Sequence, residues 1–301
     1  MKETFSFHQF VEYVRDHIHD SLPVPEQNRT VMIRPFQKIG ASYLSMSLEA
    51  GPLTAAPMVN LDDFYRQYQQ NASLETLLDQ MADILVTEPP DLNLDAVVKD
   101  YSSIRNRLFI RVCNAEWNAE LLRTVPHIER EGLAITSHLL FSKPDQEQLM
   151  SGLITNDLLE SYGVTAEELF SDAMENGRRL FPESIEALDY PPFDQGVMRS
   201  SYVVTNQHGI NGAAALFYPG VLEQLGRRFP GGFYLIPTSI HEFLLQFEQT
   251  GVTLEQMENG LVETNRLITD SRDRLSDDVY YYDPAGEGFE RAGSVRRRFV
   301  C

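Results

Sequence analysis

Apolar residues first recur at helical spacing in Phe7, Phe10, Val11, Val14 and Ile18. A period near 3.6 places them on one face. Ser6 stands before this run and Gln9 three residues later, the pattern of a capping box, while Pro23 and Pro25 stop the helix. Residues 31–36 and 42–49 then read as strands joined around Gly40. In the second, Tyr43, Ser45 and Ser47 alternate with Leu44, Met46 and Leu48, the period of two that buries one face of a strand. A short helix is predicted near residues 61–70. Another follows Ser73, a good N-cap, with Leu74, Leu77, Leu78, Met81 and Leu85 along one side. The expected N-terminal piece is an αββαα unit over residues 1–88. The Thr87-Glu88-Pro89-Pro90-Asp91 stretch serves as its linker.

The middle piece, residues 92–192, starts less regularly. Residues 108–112 form a short apolar run interrupted by Arg111, and residues 133–141 read as another strand. From Asn156 the pattern is helical; Gly163 breaks it, and Thr165-Ala166-Glu167-Glu168 is a capping box for a second helix. A second linker is expected around Tyr190-Pro191-Pro192-Phe193-Asp194-Gln195-Gly196. In the C-terminal piece, residues 197–283, strands are predicted at 202–206, 213–218, 233–236 and 240–247. Helices follow Pro219 and Thr253. The order ββαββα disfavours a doubly wound parallel sheet. The fold class expected is α+β, with mixed, mostly antiparallel sheets and helices on one face. Residues 284–301 turn Gly- and Arg-rich and are expected to form a flexible tail.

Composition narrows the function. The 301 residues carry 44 acidic against 25 basic side chains, a net charge of −19. Such a surface lacks the basic stripe that phosphate backbones require, so no nucleic-acid partner is expected. The longest uncharged run, 200–222, includes Asn206, Gln207, His208, Asn211 and Pro219 and is too polar to span a bilayer. The first residues lack an apolar signal region. Two cysteines exclude a disulfide scaffold and a Cys-rich zinc site. These features point to a cytoplasmic protein with no membrane partner.

The common catalytic signatures are missing. The sequence has no phosphate-cradling Gly-x-x-x-x-Gly-Lys-Ser/Thr loop and no Gly-x-Gly-x-x-Gly turn. It also lacks Gly-x-Ser-x-Gly and His-Glu-x-x-His. No cofactor or metal is expected. The residues with most chemical promise are Thr238, Ser239, His241 and Glu242, polar groups packed into a turn between apolar strands. An imidazole near a carboxylate could act as a base or metal ligand, so His241, Glu242 and Ser239 are the catalytic candidates. Against this, turn hydroxyls commonly bond backbone, and adjacent strand residues point to opposite faces. Asn206, His208, Asn211 and Thr238 are the ligand-binding candidates; Asn and Gly are also ordinary turn residues. Asn114, Trp117, Asn118 and His127 form a further cluster, with Trp117, the only tryptophan, expected as a core anchor. Cys113 is expected to be a buried, inert thiol. Asp277, Asp278 and Asp283 around Tyr280-Tyr281-Tyr282 are expected to be solvated, and Arg296-Arg297-Arg298 forms an exposed basic tip.

Several motifs together resemble a known family. They are the stretch from Asn114 through Pro126-His127, Thr155-Asn156-Asp157, and Glu167-Glu168-Leu169-Phe170 with Ala173 and Asn176. Val204-Thr205-Asn206, Gly212-Ala213-Ala214 and Tyr234-Leu235-Ile236-Pro237-Thr238-Ser239-Ile240-His241-Glu242 follow. Asn265 and Leu275-Ser276 with Val279-Tyr280 complete the set. In this order they are similar to a bacterial family of unknown function, number fifty-six eighty-eight of the domain-of-unknown-function series. The C-terminal part is more distantly similar to the YtpQ-like proteins. Lys38-Ile39-Gly40-Ala41 departs from the pattern, where Lys, two Asn and Gly would be expected. The resemblance implies a cytoplasmic bacterial protein and no particular reaction. Two classes of function follow: a non-catalytic binding or regulatory protein with an unknown protein or small-molecule partner, and a hydrolase-like or metal-dependent enzyme using His241 with a nearby carboxylate.

Overall fold

The structure is a computed structural model describing residues 4–50, 56–88, 100–142, 149–188, 201–247, 251–286 and 288–294. The chain divides into two compact units, residues 1–96 and 97–301.

In the first unit, α1 (Phe7–Ser21) opens with the reciprocal Ser6–Gln9 capping box and buries Phe10, Val11, Val14 and Ile18. The antiparallel hairpin β1 (Val31–Lys38) and β2 (Ala41–Leu48) turns at Ile39-Gly40, where Gly40 has φ 74°. That left-handed conformation suits glycine. β3 (Val59–Asn60) adds to β2. The Asn60 side chain then caps α2 (Leu61–Gln69), and Ser73 caps α3 (Leu74–Leu85). Phe10, Ile18, Met46, Val59, Leu61, Leu77 and Met81 close this unit's core.

Among its described residues the second unit contains two antiparallel sheets. One has β6 (Leu133–Leu140) at its centre, with β4 (Leu108–Asn114) on one side and β5 (His127–Arg130) and β7 (Ser151–Leu153) pairing it separately. The other has six strands in the order β13-β12-β10-β11-β9-β8. These are β8 (Glu183–Ala187), β9 (Ser201–Asn206), β10 (Phe233–Ser239), β11 (Glu242–Gln246), β12 (Tyr280–Asp283) and β13 (Gly288–Arg291). Its described α-helices include α4 (Tyr101–Ile104), α5 (Ala119–Leu122), α6 (Asn156–Tyr162), α7 (Ala166–Leu180), α8 (Val221–Arg228) and α9 (Leu254–Leu267). The fold class is therefore α+β, with mostly antiparallel sheets. Thr165 and Thr253 cap α7 and α9 by full capping boxes. Among the described residues no helix is long and apolar enough to cross a membrane.

Three expectations need correction. The run Ala213-Ala214-Ala215-Leu216-Phe217 is a 3-10 helix, Gly212–Phe217, not a strand, so the C-terminal ββαββα order does not hold. A short run that is apolar on every side carries no periodicity to separate a buried strand from a buried helix, and alanine favours the helix. Next, the middle and C-terminal pieces are not separate modules: one core runs from Ile104 through Leu169 and Leu235 to Phe289. Finally, the segment after Asp283 is not a free tail over its described part. β13 pairs with β12, and Phe289 and Ala292 are buried. Arg291 also donates its backbone N–H to Glu131 and lies 3.1 Å from Asp278. The second expected linker, and Arg296-Arg297-Arg298, lie outside the described residues, as do Pro89, Pro90 and Asp91 of the first.

Candidate functional site

The candidates divide between two loops of the second unit. β10 and β11 are joined at Ile240-His241, with Ser239 paired to Glu242 across the turn. The Thr238 hydroxyl donates to Glu242 Oε1 at 3.0 Å, and Ser239 Oγ accepts the His241 backbone N–H at 3.1 Å. The other loop leaves β9 at Asn206. Its side chain accepts from His208 N–H at 2.9 Å and donates to Ile210 O at 2.8 Å. This is the turn-closing work expected of asparagine. The His208 ring stands edge-on to Phe181, centroids 5.7 Å apart.

The two loops meet at His241. Its Nδ1 accepts the Asn211 backbone N–H at 3.0 Å. A backbone N–H can only donate, so Nδ1 carries a lone pair and the neutral ring holds its proton on Nε2. Nε2 lies 3.7 Å from Asp273 Oδ1. Thr205 Oγ1 donates to His241 O at 2.7 Å, and Ala213 N–H to Ile240 O at 3.2 Å. The Asp273 carbonyl accepts Ile240 N–H at 2.7 Å. Asn211 takes up φ 53°, a conformation asparagine tolerates. At Gly212 a Cβ would lie 2.6 Å from both Asn206 N and His241 O. Five of the seven candidates, Asn206, Thr238, Ser239, His241 and Glu242, thus hydrogen-bond within the two loops through their side chains, Asn211 does so through its backbone N–H, and Ser239 Oγ meets the backbone of His241 instead of its ring. His208 is tied in by its backbone N–H.

The third cluster is otherwise arranged than expected. Asn114 Oδ1 accepts Trp117 N–H at 3.0 Å, and Asn118 Nδ2 donates to Asn114 O at 2.8 Å. This tight turn after β4 puts Trp117 on its outside, 49% exposed, so it is not a core anchor. His127 Nδ1 meets Val125 O at 3.1 Å. Cys113 is buried, and burial pushes its thiol up to about 12. The acidic residues do not converge: Asp277 accepts from Asn265, Asp278 faces Arg291, and Asp283 accepts Ala285 N–H. Among the described residues no three of His, Cys, Asp or Glu are gathered to hold a metal ion.

Two polar clusters escaped the sequence reading. Arg105 grips buried Asp172 through Nε and Nη2, at 2.8 and 2.6 Å, and Tyr101 donates to the same carboxylate at 2.8 Å. Burial first, and the Asp172 carboxylate second, raise the Tyr101 phenol. The second cluster surrounds Arg111, on the β4 face shared with Thr136 and His138 of β6. His138 is buried, and burial together with the Arg111 charge holds it well below its ordinary value. Its Nε2 contacts Thr136 Oγ1 at 3.1 Å. An arginine inside an apolar strand was the one signal for this cluster.

A two-sheet α+β unit with its polar candidates woven into a loop junction is the class this geometry defines. A model of a family described as a family of unknown function (DUF5688) matches residues 7–284. The chain belongs to this family. The YtpQ-like resemblance of the C-terminal part is not shown. No curated protein and no solved structure matches the chain.

Proposed function

We propose that the chain is a non-catalytic binding or regulatory protein of the cytoplasm. The observation that carries this reading is the filled lone pair of His241: Nδ1 is taken by Asn211 N–H. The imidazole thereby acts as a clasp between two loops. The hydroxyls of Thr238 and Ser239 and the amide of Asn206 are occupied within the same loops. Groups held this way build a rigid surface on which a ligand or partner can be presented with defined geometry.

A second reading, a hydrolase-like or metal-dependent enzyme, is favoured by one contact. His241 Nε2 and Asp273 Oδ1 lie 3.7 Å apart at a partly exposed position. With its proton on Nε2 the ring points an N–H toward Asp273; moving that proton to Nδ1, with loss of the Asn211 bond, would free Nε2 as a base.

The two readings separate in a joint assay of the parent and His241→Ala. Hydrolysis of p-nitrophenyl acetate and p-nitrophenyl phosphate is followed with and without zinc or magnesium. The binding reading expects equal background rates and a variant less stable by about 1–2 kcal/mol, because Asn211 N–H loses its acceptor. Turnover in the parent that disappears in a folded His241→Ala would establish the enzyme reading instead.

A further inference from the structure

Among the described residues, Arg111 is a cation without a carboxylate. It sits half-buried on β4 inside an otherwise apolar run. Its Nη2 donates to Ser151 Oγ at 2.7 Å, and the guanidinium lies 5.4 Å from the centre of the Phe109 ring. Its Nε is shielded from solvent and has no hydrogen-bond partner among the described residues. No ion pair joins Arg111 to an acidic residue among the described residues. Charges taken out of water are normally paired, because the desolvation cost is several kcal/mol per ion. That cost is visible here: burial lowers Arg111 to about 10, which still leaves it charged at neutral pH.

The molecule contains its own reference for a satisfied guanidinium. Arg105 presents the same Nε/Nη2 edge to the two oxygens of Asp172. At Arg111 that edge holds one serine hydroxyl and one bare N–H. The planar fork matches a carboxylate in two parallel hydrogen bonds. The neighbours set the charge and the wall. His138 is neutral, so the site carries a single positive charge and suits a monoanion. Phe109, Leu140 and Phe181 form an apolar cluster on the Phe109 side. A chain of net charge −19 opposes nonspecific anion uptake, so an anion bound here must be held by local contacts.

The geometry points to Arg111 and Ser151 as the receptor for the carboxylate group of a small molecule, with Phe109 beside it. This assignment deepens the binding reading and rests on it, but it is tested at a different place from His241.

The test is an NMR titration of the full chain labelled with 15N-arginine. Sodium acetate is compared with sodium chloride and sodium phosphate at equal ionic strength. The Arg111 Nε–H signal is identified by its absence in Arg111→Met. That variant is expected to fold, since an apolar side chain of similar size usually replaces a buried charge without loss. Saturable movement of this signal with acetate and not with chloride is expected. Ser151→Ala should retain the fold and weaken acetate binding several-fold. If Arg111→Met does not fold, the Ser151→Ala titration decides in its place. Movement with acetate no greater than with chloride overturns the proposal. Saturation by phosphate without any by acetate overturns the carboxylate assignment. A failed titration with the His241 assay unchanged removes only this site; hydrolysis lost in His241→Ala would remove the binding reading itself.

Discussion

Gly212 shows how little freedom the loop junction has. A methyl group there would meet the Asn206 amide and the His241 carbonyl at 2.6 Å, both backbone atoms that cannot swing aside. Gly212→Ala is expected to destabilise the chain by about 2–3 kcal/mol, the upper range for overpacking, and urea denaturation measures it directly. His138 makes a prediction of the opposite kind, one about protons. Its native value is depressed below the ordinary 6.5, so the unfolded chain binds a proton more readily than the folded one. The resulting stability is present above about pH 6.5 and is lost as the pH falls through the native value. Unfolding free energies measured between about pH 7 and 5 should therefore decline, and His138→Leu should flatten that decline. An unchanged slope in the variant would assign the titration to other groups.

At the level of elements, β13 carries the clearest consequence. Phe289 is 2% exposed and stacks edge-on against Phe217 and Tyr280. Removing its ring by Phe289→Ala should cost about 3–5 kcal/mol, and truncation after Asp283 should lower the melting temperature by at least as much as the point variant does. A truncated chain melting with the parent would show that β13 contributes nothing. Elements such as α1, α7 and α9 were legible in the sequence because their signals are local: Ser6, Thr165 and Thr253 bond backbone three residues away. β13 was not legible, because Gly288-Phe289-Glu290-Arg291 has a single large apolar residue and acquires its role from a distant core. The Gly212–Phe217 segment failed for the converse reason, being apolar everywhere. In the candidate site, both loops were legible from their Asn, Gly, Ser and His content. Their union at Asn211 and His241 was not, since the contact spans 30 residues. Asp273 and Ser151 carried no signal of their own.

For the molecule as a whole, the two units have separate cores. Trp117, the only tryptophan, belongs to the second unit, so its fluorescence serves as a probe of that unit. Met81→Ala, in the first unit's core, should cost about 2–5 kcal/mol there. Its far-ultraviolet circular dichroism transition should shift while the tryptophan transition stays in place; coincident shifts would mean that the two units unfold together. The second unit also has a kinetic character written into its topology. The bond from Arg291 N–H to Glu131 joins residues 160 positions apart, and the shared core collects side chains from Ile104 to Phe289. Large loops must close before such contacts return any free energy, and sheets built from distant strands search slowly. During that search β12 waits with one edge unpaired, and an open strand edge is a template for pairing with other chains. Refolding should therefore be slow in the second unit, and its yield should fall as protein concentration rises.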